Sequence, residues 1–258
     1  MRLATFNILH GRSLDDGRVD VSRFSDGVAR LDADVLALQE VDRDQPRSLQ
    51  ADLTTVAARA AGAGEHRFVA TLHGEPGTWT AATGLEQPDI AAYGIALLSR
   101  YPVRSWRVTT LPALPGPVPV VHAGRRWPSI ARDEPRAAVA AVLDTPAGPF
   151  TAVATHLSFI PGWNALQLRA LVRVCRSLPR PLALLGDLNL GARAAGRLSG
   201  WRPAGSRPTF PAREPTRQLD HVLLDGDVRP AGEPVALDVG VSDHRALVVD
   251  VALGRTAP

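Results

Sequence analysis

The stretch Leu182-Ala183-Leu184-Leu185-Gly186-Asp187-Leu188-Asn189 joins a short apolar run to two polar side chains. A short apolar run bounded by turn residues is typical of a buried β-strand. Asp187 and Asn189 alternate across Leu188, so both side chains can face the same side of an extended segment. An Asp-x-Asn sequence also suits an ordinary turn. The functional interpretation is that Asp187 orients or deprotonates an attacking water and that Asn189 binds a phosphate oxygen.

The same arrangement of an apolar run followed by a polar cluster recurs along the chain. A strand end is a rigid platform at the rim of a sheet, so such clusters can converge on one cleft. They supply carboxylate, imidazole and carboxamide groups without cysteine, and this set suits a hard divalent cation and a phosphate ester better than zinc or an acyl group. The pattern predicts a magnesium-dependent phosphoesterase. The further clusters are Thr5-Phe6-Asn7, Gln39-Glu40, Thr155-His156-Leu157, Leu219-Asp220-His221 and Ser242-Asp243-His244.

Between the clusters, helical and strand patterns alternate. Val21, Phe24, Val28 and Leu31 recur at helical spacing, and residues 49–61 and 164–178 are predicted helices. Five prolines within 111–128 predict an extended surface loop near the cleft, and the arginine-, glycine- and proline-rich segment 191–215 is predicted to be loops. Strand-rich halves, each with a helical insertion, predict an α/β (α+β) sandwich of two sheets with helices on its outer faces. We expect one domain over 1–258.

The composition bounds the class of protein. A chain of 258 residues with 45% hydrophobic content can bury one sizeable core. The net charge is +3, but all 29 basic residues are arginines spread along the chain, so basicity is weak support for a polyanionic partner. No apolar run approaches membrane-spanning length, and the first strand leaves no room for a signal peptide, so we expect a cytoplasmic protein without an integral membrane segment. Cys175 stands alone, which excludes disulfide scaffolding.

Two candidate residues have ordinary alternatives. Glu40 follows four apolar residues and would present a hard oxygen to magnesium, although a solvated glutamate at a strand end is the simpler interpretation. His156 could donate a hydrogen bond to a phosphoryl oxygen, although a lone histidine is more often structural.

The pair Asp243-His244 is the most informative. A histidine held by a buried carboxylate has a fixed tautomer and a raised pKa. Adjacent side chains on a strand diverge, so Asp220, from another strand, is predicted to orient His244, and Asp243 is free to face the metal. His221 should then point away from the cleft and be structural.

The ordered set of clusters resembles the endonuclease/exonuclease/phosphatase superfamily, which includes pancreatic-type deoxyribonucleases, apurinic-site endonucleases, inositol polyphosphate 5-phosphatases and bacterial sphingomyelinases. The segments 93–100 (Tyr-Gly-Ile-Ala-Leu-Leu-Ser-Arg) and 134–138 (Glu-Pro-Arg-Ala-Ala) resemble two of its other strands. The resemblance implies a four-layer sandwich of two mixed β-sheets flanked by helices. It also implies hydrolysis of a phosphoester by in-line attack of water, with Mg²⁺, or Mn²⁺ as a substitute, neutralising the developing charge.

The resemblance also implies roles for individual residues. The metal side would be formed by Asn7, Glu40 and Asp243, and the substrate would contact Tyr93 and Arg136. Asp187 would handle the attacking water, and either Asp187 or His244 would be the general base. The scissile phosphate would be surrounded by His156, Asn189 and His244, with Asp220 supporting His244.

The substrate is less constrained than the reaction. No acidic residue near Phe68 to Leu72 matches the second glutamate of the deoxyribonuclease branch, and the insertions by which apurinic-site enzymes grip DNA are not evident. His10-Gly11-Arg12 could instead shape a small polar pocket.

Three interpretations of the function follow. The first is a phosphodiesterase acting on nucleic acid. The second is a phosphatase or phosphodiesterase for a small or lipid headgroup substrate of the inositol phosphate or sphingomyelin type, with the 111–128 loop, Trp106 and Trp127 near its pocket or touching a membrane. The third, a non-catalytic scaffold, is the least favoured because every expected catalytic position holds a competent residue type.

Overall fold

The apolar runs form two large mixed sheets that pack face to face in a computed structural model of the chain, which describes residues 1–82, 90–120 and 129–254. The strands within these ranges are β1 (Arg2–Asn7), β2 (Val35–Arg43), β3 (Glu65–His73), β4 (Thr80–Ala81), β5 (Ala92–Ser99), β6 (Val103–Leu111), β7 (Pro117–Val120), β8 (Ser129–Arg132), β9 (Arg136–Thr145), β10 (Gly148–His156), β11 (Leu182–Asp187), β12 (Arg202–Pro203), β13 (Asp220–Asp225), β14 (Val228–Pro230), β15 (Val235–Leu237) and β16 (Ala246–Leu253). The helices are α1 (Val21–Ala29), α2 (Leu53–Ala61), α3 (Trp163–Cys175) and α4 (Ala192–Ser199), with 3₁₀ turns at Leu9–Gly11 and Pro46–Ser48.

Each large sheet contains one parallel pair of strands that matters for the site. The first sheet has the order β14-β16-β1-β2-β5-β3-β4, with β15 also on β16, and β1 runs parallel to β2. The second has the order β12-β13-β11-β10-β9-β6, and β10 runs parallel to β11. Because the carboxyl ends of parallel strands meet at one edge, each sheet presents two chain segments side by side at its rim.

Three apolar clusters define four layers. Leu3, Val35 and Ile95 of the first sheet meet Val139 and Ala183 of the second in the central core between the sheets. A second cluster joins the other face of the first sheet to α1 and α2, and a third joins the other face of the second sheet to α3 and α4. The predicted sandwich of two mixed sheets with helices on its outer faces is therefore confirmed.

The ends of the first two helices follow from their capping residues. The Asp20 carboxylate accepts hydrogen bonds from two backbone N–H groups at the start of α1, and Asp52 does the same for α2. Gly62 ends α2 in a left-handed conformation with φ 64°, which glycine adopts without steric cost. The predicted start of this helix at Leu49 is four residues early because the cap lies at Asp52.

Two segments predicted as loops contain regular structure. The segment 191–215 includes α4 and β12, and Gly196 of α4 lets the helix approach Pro203 closely. The proline-rich segment 111–128 supplies β7, which pairs with β8 as a separate two-stranded sheet. Prolines are tolerated there because a two-stranded ribbon leaves one edge of each strand without ladder bonds. Trp127 lies outside the described residues, and Trp106 packs against the central core instead of the cleft.

Strand β2 also differs from its prediction, in a way that matters for the site. It continues through Arg43, and its register against β5 shifts between Leu38 and Val41. Glu40 lies in this bulge with φ 56°, so it is aimed by an irregularity within the strand and not by the end of the strand. Among the described helices, none combines the length and apolarity needed to cross a bilayer.

Candidate active site

Nine of the ten predicted site residues line one cleft of about 790 Å³ at the rims of both sheets. Asn7 ends β1, while His156 and Asp187 end the parallel strands β10 and β11. Asp220, the tenth, is fully buried behind His244. The nine are Asn7, Glu40, Tyr93, Arg136, His156, Asp187, Asn189, Asp243 and His244.

Asn7 links the two sheets through its side-chain amide. Its Nδ2 donates to Glu40 Oε1 at 3.0 Å and to Asp187 Oδ2 at 3.2 Å, while its Oδ1 accepts from the backbone N–H of Leu9 at 3.2 Å. The bond from Leu9 fixes the orientation of the amide, so its nitrogen faces the two carboxylates. This geometry makes Asn7 an orienting donor, and direct metal ligation by Asn7 stays a prediction.

Asp187 is the centre of the site. Its Oδ2 lies 3.6 Å from His156 Nε2 and 3.8 Å from His244 Nε2, and its Oδ1 accepts from the backbone N–H of Asn189 at 2.9 Å. Burial raises the pKa of this carboxyl to about 7, against the opposing effect of the His244 charge. A carboxylate with a pKa near neutrality can accept a proton from water under physiological conditions.

His244 makes the contact with Asp220 that the sequence predicts. His244 Nδ1 lies 2.8 Å from Asp220 Oδ2, which also accepts from Thr209 Oγ1 at 2.6 Å. Burial alone would lower the pKa of His244, but the charge and hydrogen bond of Asp220, together with Asp187 and Asp243, raise it to about 10. At neutral pH the ring is therefore an imidazolium whose Nε2 faces the cleft.

His156 has the opposite arrangement. Its Nδ1 lies 3.1 Å from Nη1 of the buried Arg136. An arginine is always protonated and can only donate, so His156 Nδ1 accepts and the ring proton sits on Nε2. Burial, with the nearby charges of Arg136 and His244, holds the pKa of His156 well below its usual range. His156 is thus a neutral hydrogen-bond donor toward the cleft.

The remaining predicted residues surround this centre. Asn189 has φ 49°, and its Nδ2 donates to the carbonyl of Leu157 at 3.1 Å, which fixes the turn after β11. Tyr93 faces the cleft from β5, and Asp243 lines it from the loop before β16. His221 has a structural role, as predicted. Its Nε2 lies 2.8 Å from the backbone carbonyl oxygen of Leu190, away from the cleft.

Two sets of side chains in the site could hold a metal ion. Burial, aided by the charge of Asp243, raises the pKa of Glu40, against the opposing effects of the Asn7 hydrogen bond and of the charges of Arg136 and His244. Separately, Asp187, Asp220 and His244 offer ligand atoms within 4.8 Å of one another. His244 Nδ1 and Asp220 are already hydrogen-bonded, so Glu40 and Asp243, with all-oxygen donors, fit a hard divalent cation better.

Several lining residues were missed by sequence reasoning. Glu134 lies 3.5 Å from Arg136 Nη2, and Phe210 packs against His244 with ring centroids 4.9 Å apart and ring planes tilted by 50°. Phe159 and the exposed Arg217 lie on the cleft wall. The signal for Glu134 was present in the Glu-Pro-Arg segment, whereas Phe159, Phe210 and Arg217 lie in loops without a pattern.

A comparison of the sequence with known protein families agrees with this site. A sequence profile of the Endonuclease/Exonuclease/phosphatase family matches residues 4–244. The chain belongs to the endonuclease/exonuclease/phosphatase family. Members of this family are hydrolases that act on phosphoester bonds. A search of curated proteins found no match for the chain.

Solved structures share the fold of this family member. An endonuclease/exonuclease/phosphatase from Beutenbergia cavernae is 22% identical with a TM-score of 0.69, covering 98% of this chain and 72% of its own. A mannosyl-6-phosphatase from Bacteroides thetaiotaomicron is 13% identical with a TM-score of 0.63, covering 98% and 100%. A beta toxin from Staphylococcus aureus with bound magnesium ions is 13% identical with a TM-score of 0.62, covering 96% and 98%. These similarities establish the fold of the chain.

Proposed function

We propose that the protein is a magnesium-dependent phosphoesterase that hydrolyses a phosphodiester bond by in-line attack of water. The observation that carries the proposal is that two histidines converge on Asp187. Nε2 of His156 and Nε2 of His244 both lie within 3.8 Å of Asp187 Oδ2. A neutral donor, a carboxylate of near-neutral pKa and an imidazolium are the groups that hydrolysis of a phosphoester requires.

The metal would be held by Glu40 and Asp243, with Asn7 beside them. Magnesium takes one or two protein carboxylates and keeps several waters, and Mn²⁺ accepts the same oxygen ligands. When bound, the ion would supply positive charge against the phosphoryl oxygens. Among the structural neighbours, the beta toxin contains magnesium ions, which is consistent with this assignment.

The protein groups then divide the remaining work. Of the two groups that could take a proton from water, we favour Asp187, because Asp220 holds His244 as a cation. His244 and His156 would both donate from Nε2 to phosphoryl oxygens, one as an ion and the other as a neutral ring. Asn189 would add a side-chain contact to the same phosphate.

Small molecules are a second candidate class of substrate, and the charge of the cleft favours them over nucleic acid. Arg136 is engaged with His156 and Glu134, which leaves the exposed Arg217 as the other arginine among the described lining residues. Nucleic-acid binding relies on several arginine or lysine contacts to phosphates. A cleft with one accessible arginine and an acidic wall at Glu134 instead suits a compact phosphodiester or phosphomonoester.

Hydrolysis of bis(p-nitrophenyl) phosphate with and without magnesium tests the reaction. We expect turnover that EDTA abolishes and that Mg²⁺ or Mn²⁺ restores, with Glu40→Gln inactive and Arg169→Ala, on the exposed face of α3, unchanged. Full activity in EDTA would refute the metal dependence, and a lack of turnover with every metal would favour a non-catalytic scaffold.

A substrate panel then separates nucleic acid from small molecules. It comprises plasmid DNA, apurinic DNA, RNA, inositol phosphates, sphingomyelin and p-nitrophenyl phosphate. We expect the small phosphoesters to give the higher kcat/KM. Preferential cleavage of any of the nucleic acids would overturn the small-substrate proposal while leaving the reaction class intact.

A further inference from the structure

A second cavity, of about 690 Å³, has a basic wall formed by His10, Arg12, Arg18 and Arg47. We call it the basic cavity. Part of the remaining wall is apolar, including the exposed Leu49. Among the described residues that line the basic cavity there is no carboxylate. Three arginines on one concave surface therefore offer an environment for an anion.

The basic cavity lies beside the cleft. His10 follows Asn7 by three residues, so their Cα atoms are at most about 11 Å apart. The guanidinium of Arg47 lies 5.5 Å from the ring centroid of Tyr93, which lines the cleft. Leu9, between Asn7 and His10, donates its backbone N–H to the Asn7 side chain. One molecule of modest size can therefore reach both places.

Two of the arginines are held in place before any ligand arrives. Arg47 Nε and Nη2 donate to the two oxygens of the buried Asp42 at 2.8 and 2.7 Å. Arg12 Nε donates to the carbonyl of Gly17 at 3.1 Å. A guanidinium has five N–H donors, so these bonds leave several donors on each group. A donor that is already ordered loses little conformational entropy when it binds an anion.

The charges of the basic cavity are not fully compensated. Asp42 offsets Arg47. Asp16 pairs with Arg23 at 2.8 Å and also accepts a hydrogen bond from the backbone N–H of Arg18, so it is shared between two arginines. One carboxylate shared by Arg18 and Arg23, together with Arg12, leaves a net positive charge at the basic cavity. Burial and the charge of Arg47 lower the pKa of His10 to about 4, so its ring is neutral and would serve as an uncharged donor.

The backbone at His10 is held in an uncommon conformation. Leu9, His10 and Gly11 have φ values of 43°, 47° and 79°, so three successive residues lie in the left-handed region. A non-glycine residue there costs on the order of 1 kcal/mol or more, and such residues cluster at ligand sites. The strained turn places the imidazole on the wall of the basic cavity, three residues after Asn7 of the proposed active site.

We propose that the basic cavity binds a second anionic group, a phosphate or a carboxylate, on the molecule whose phosphoester is hydrolysed in the cleft. This inference rests on the proposed function and narrows its substrate class. The preferred substrate then carries two anionic groups, one bound in the cleft and the other in the basic cavity. Substrates with one anionic group would bind through the cleft alone.

Direct binding tests the basic cavity independently of catalysis. The imidazole NMR signals of His10 are followed while inorganic phosphate, and separately acetate, is added to the wild-type protein. We expect saturable shifts that weaken about 10- to 100-fold in the double variant Arg12→Ala/Arg18→Ala, as for loss of charge-assisted hydrogen bonds. The matched control is Arg169→Ala/Arg173→Ala on the exposed side of α3, which removes the same charge elsewhere. Equal titrations in all three proteins would overturn the proposal.

Inhibition connects the basic cavity to the cleft. Inositol 1,4-bisphosphate and inositol 1-phosphate are compared as inhibitors of bis(p-nitrophenyl) phosphate hydrolysis. We expect the bisphosphate to inhibit at least ten-fold more strongly, and this advantage to disappear in Arg12→Ala/Arg18→Ala while turnover of the monoanionic reporter is unchanged. Equal inhibition constants in wild type would refute the coupling. If no reporter is hydrolysed, the proposed function fails, and the His10 titration still decides the basic cavity.

Discussion

The two histidines of the cleft differ in the side chain that contacts their Nδ1 atom. Arg136 donates to Nδ1 of His156, whereas Asp220 accepts from Nδ1 of His244. The second contact was predicted from the sequence, but the placement of the residues in that prediction was wrong: Asp220 begins β13 instead of ending a strand, and Asp243 and His244 lie in the loop before β16. The first could not be predicted, because Arg136 was assigned to the substrate and nothing in its local sequence reveals which side chain it faces. Substrate binding by Arg136 stays a prediction.

The unit formed by His244 and Asp220 gives the first prediction. His244→Ala should lower kcat by about 10²–10⁴-fold, and Asp220→Asn by somewhat less, because a positioned acid–base group contributes on this scale. The double variant should be little worse than His244→Ala, since the two residues act together. The measurement is kcat on bis(p-nitrophenyl) phosphate, with folding checked by circular dichroism.

Asp26→Asn, on the exposed face of α1, is the matched control for loss of one carboxylate and should keep full activity. Multiplicative losses in the double variant would mean that Asp220 acts apart from His244, in which case the pairing does not explain the role of Asp220.

Asp187 gives a prediction about stability. Its pKa is about 7 in the folded protein and about 3.8 without the fold, mainly because burial disfavours the charge. The unfolded chain therefore releases this proton at a lower pH than the folded protein does. As a result, the folded state loses stability as pH rises from 3.8 to 7. Asp187→Asn cannot ionise, so in EDTA at pH 8 it should melt about 2–4 °C or more above wild type, although it is inactive.

The check is thermal unfolding at pH 4 and pH 8. The difference between Asp187→Asn and wild type should shrink at pH 4, where both are neutral, while Asp26→Asn should show no comparable gain. A variant that melts below wild type at both values would contradict the raised pKa.

At the scale of single elements, the strands were predicted better than their irregularities. Continuous apolar residues marked the strands that lead to the site, such as Leu182–Asp187. The bulge at Glu40 was not predictable, because it depends on the register between β2 and β5, which no local pattern encodes. The short helix α4 was missed because Gly191, Gly196 and Gly200 outweigh its few buried positions, Ala195 and Ser199.

The close approach of the parallel strands β10 and β11 at Gly186 gives an element-scale prediction. A Cβ on Gly186 would lie 2.1 Å from the carbonyl oxygen of Thr155, closer than any real Cβ contact. Gly186→Ala must therefore push β11 away from β10 and displace Asp187, which follows it directly. We expect a loss of more than about 2 kcal/mol of unfolding free energy, typical of overpacking, and a fall in kcat of at least ten-fold.

Gly191→Ala is the matched control. Gly191 has an ordinary φ of −69°, and a Cβ added there would meet no other atom within 4 Å. Urea unfolding should show wild-type stability within about 0.5 kcal/mol for this variant. If Gly186→Ala were as stable as Gly191→Ala, the close approach of the two strands would not be a constraint.

At the scale of the molecule, the fold class and its layers follow from the sequence, but the order of the strands does not. Helical and strand periodicities indicate the elements, and the two strand-rich halves indicate two sheets. Nothing in Val228–Pro230 or Ala246–Leu253 shows that the last strands complete the first sheet, because that pairing is a long-range choice.

The carboxylates of the cleft give the whole-molecule prediction. Glu40, Asp187 and Asp243 line the cleft, so a cation that binds among them stabilises the folded state alone. Mg²⁺ should raise Tm as its concentration increases. At a concentration of 100 times Kd, the unfolding free energy should increase by about 2.7 kcal/mol. Differential scanning fluorimetry against magnesium, with EDTA as the zero point, measures the effect.

Glu40→Gln should lose most of this gain, whereas Asp26→Asn should keep it. A Tm that responds to magnesium equally in wild type and Glu40→Gln would exclude Glu40 as a ligand and would point to Asp187, Asp220 and His244 instead.

The pairing of β1 with β16 has a consequence for synthesis in the cell. Arg2 lies opposite Asp250, so β1 cannot pair with β16 until a further 248 residues have been synthesised. At about 5–20 residues per second, the interval is roughly 12–50 s. During that time β1 exposes an unpaired edge and an apolar face, a state in which nascent chains depend on chaperones. Asn7, at the end of β1, therefore reaches its final environment only after β16 has been made.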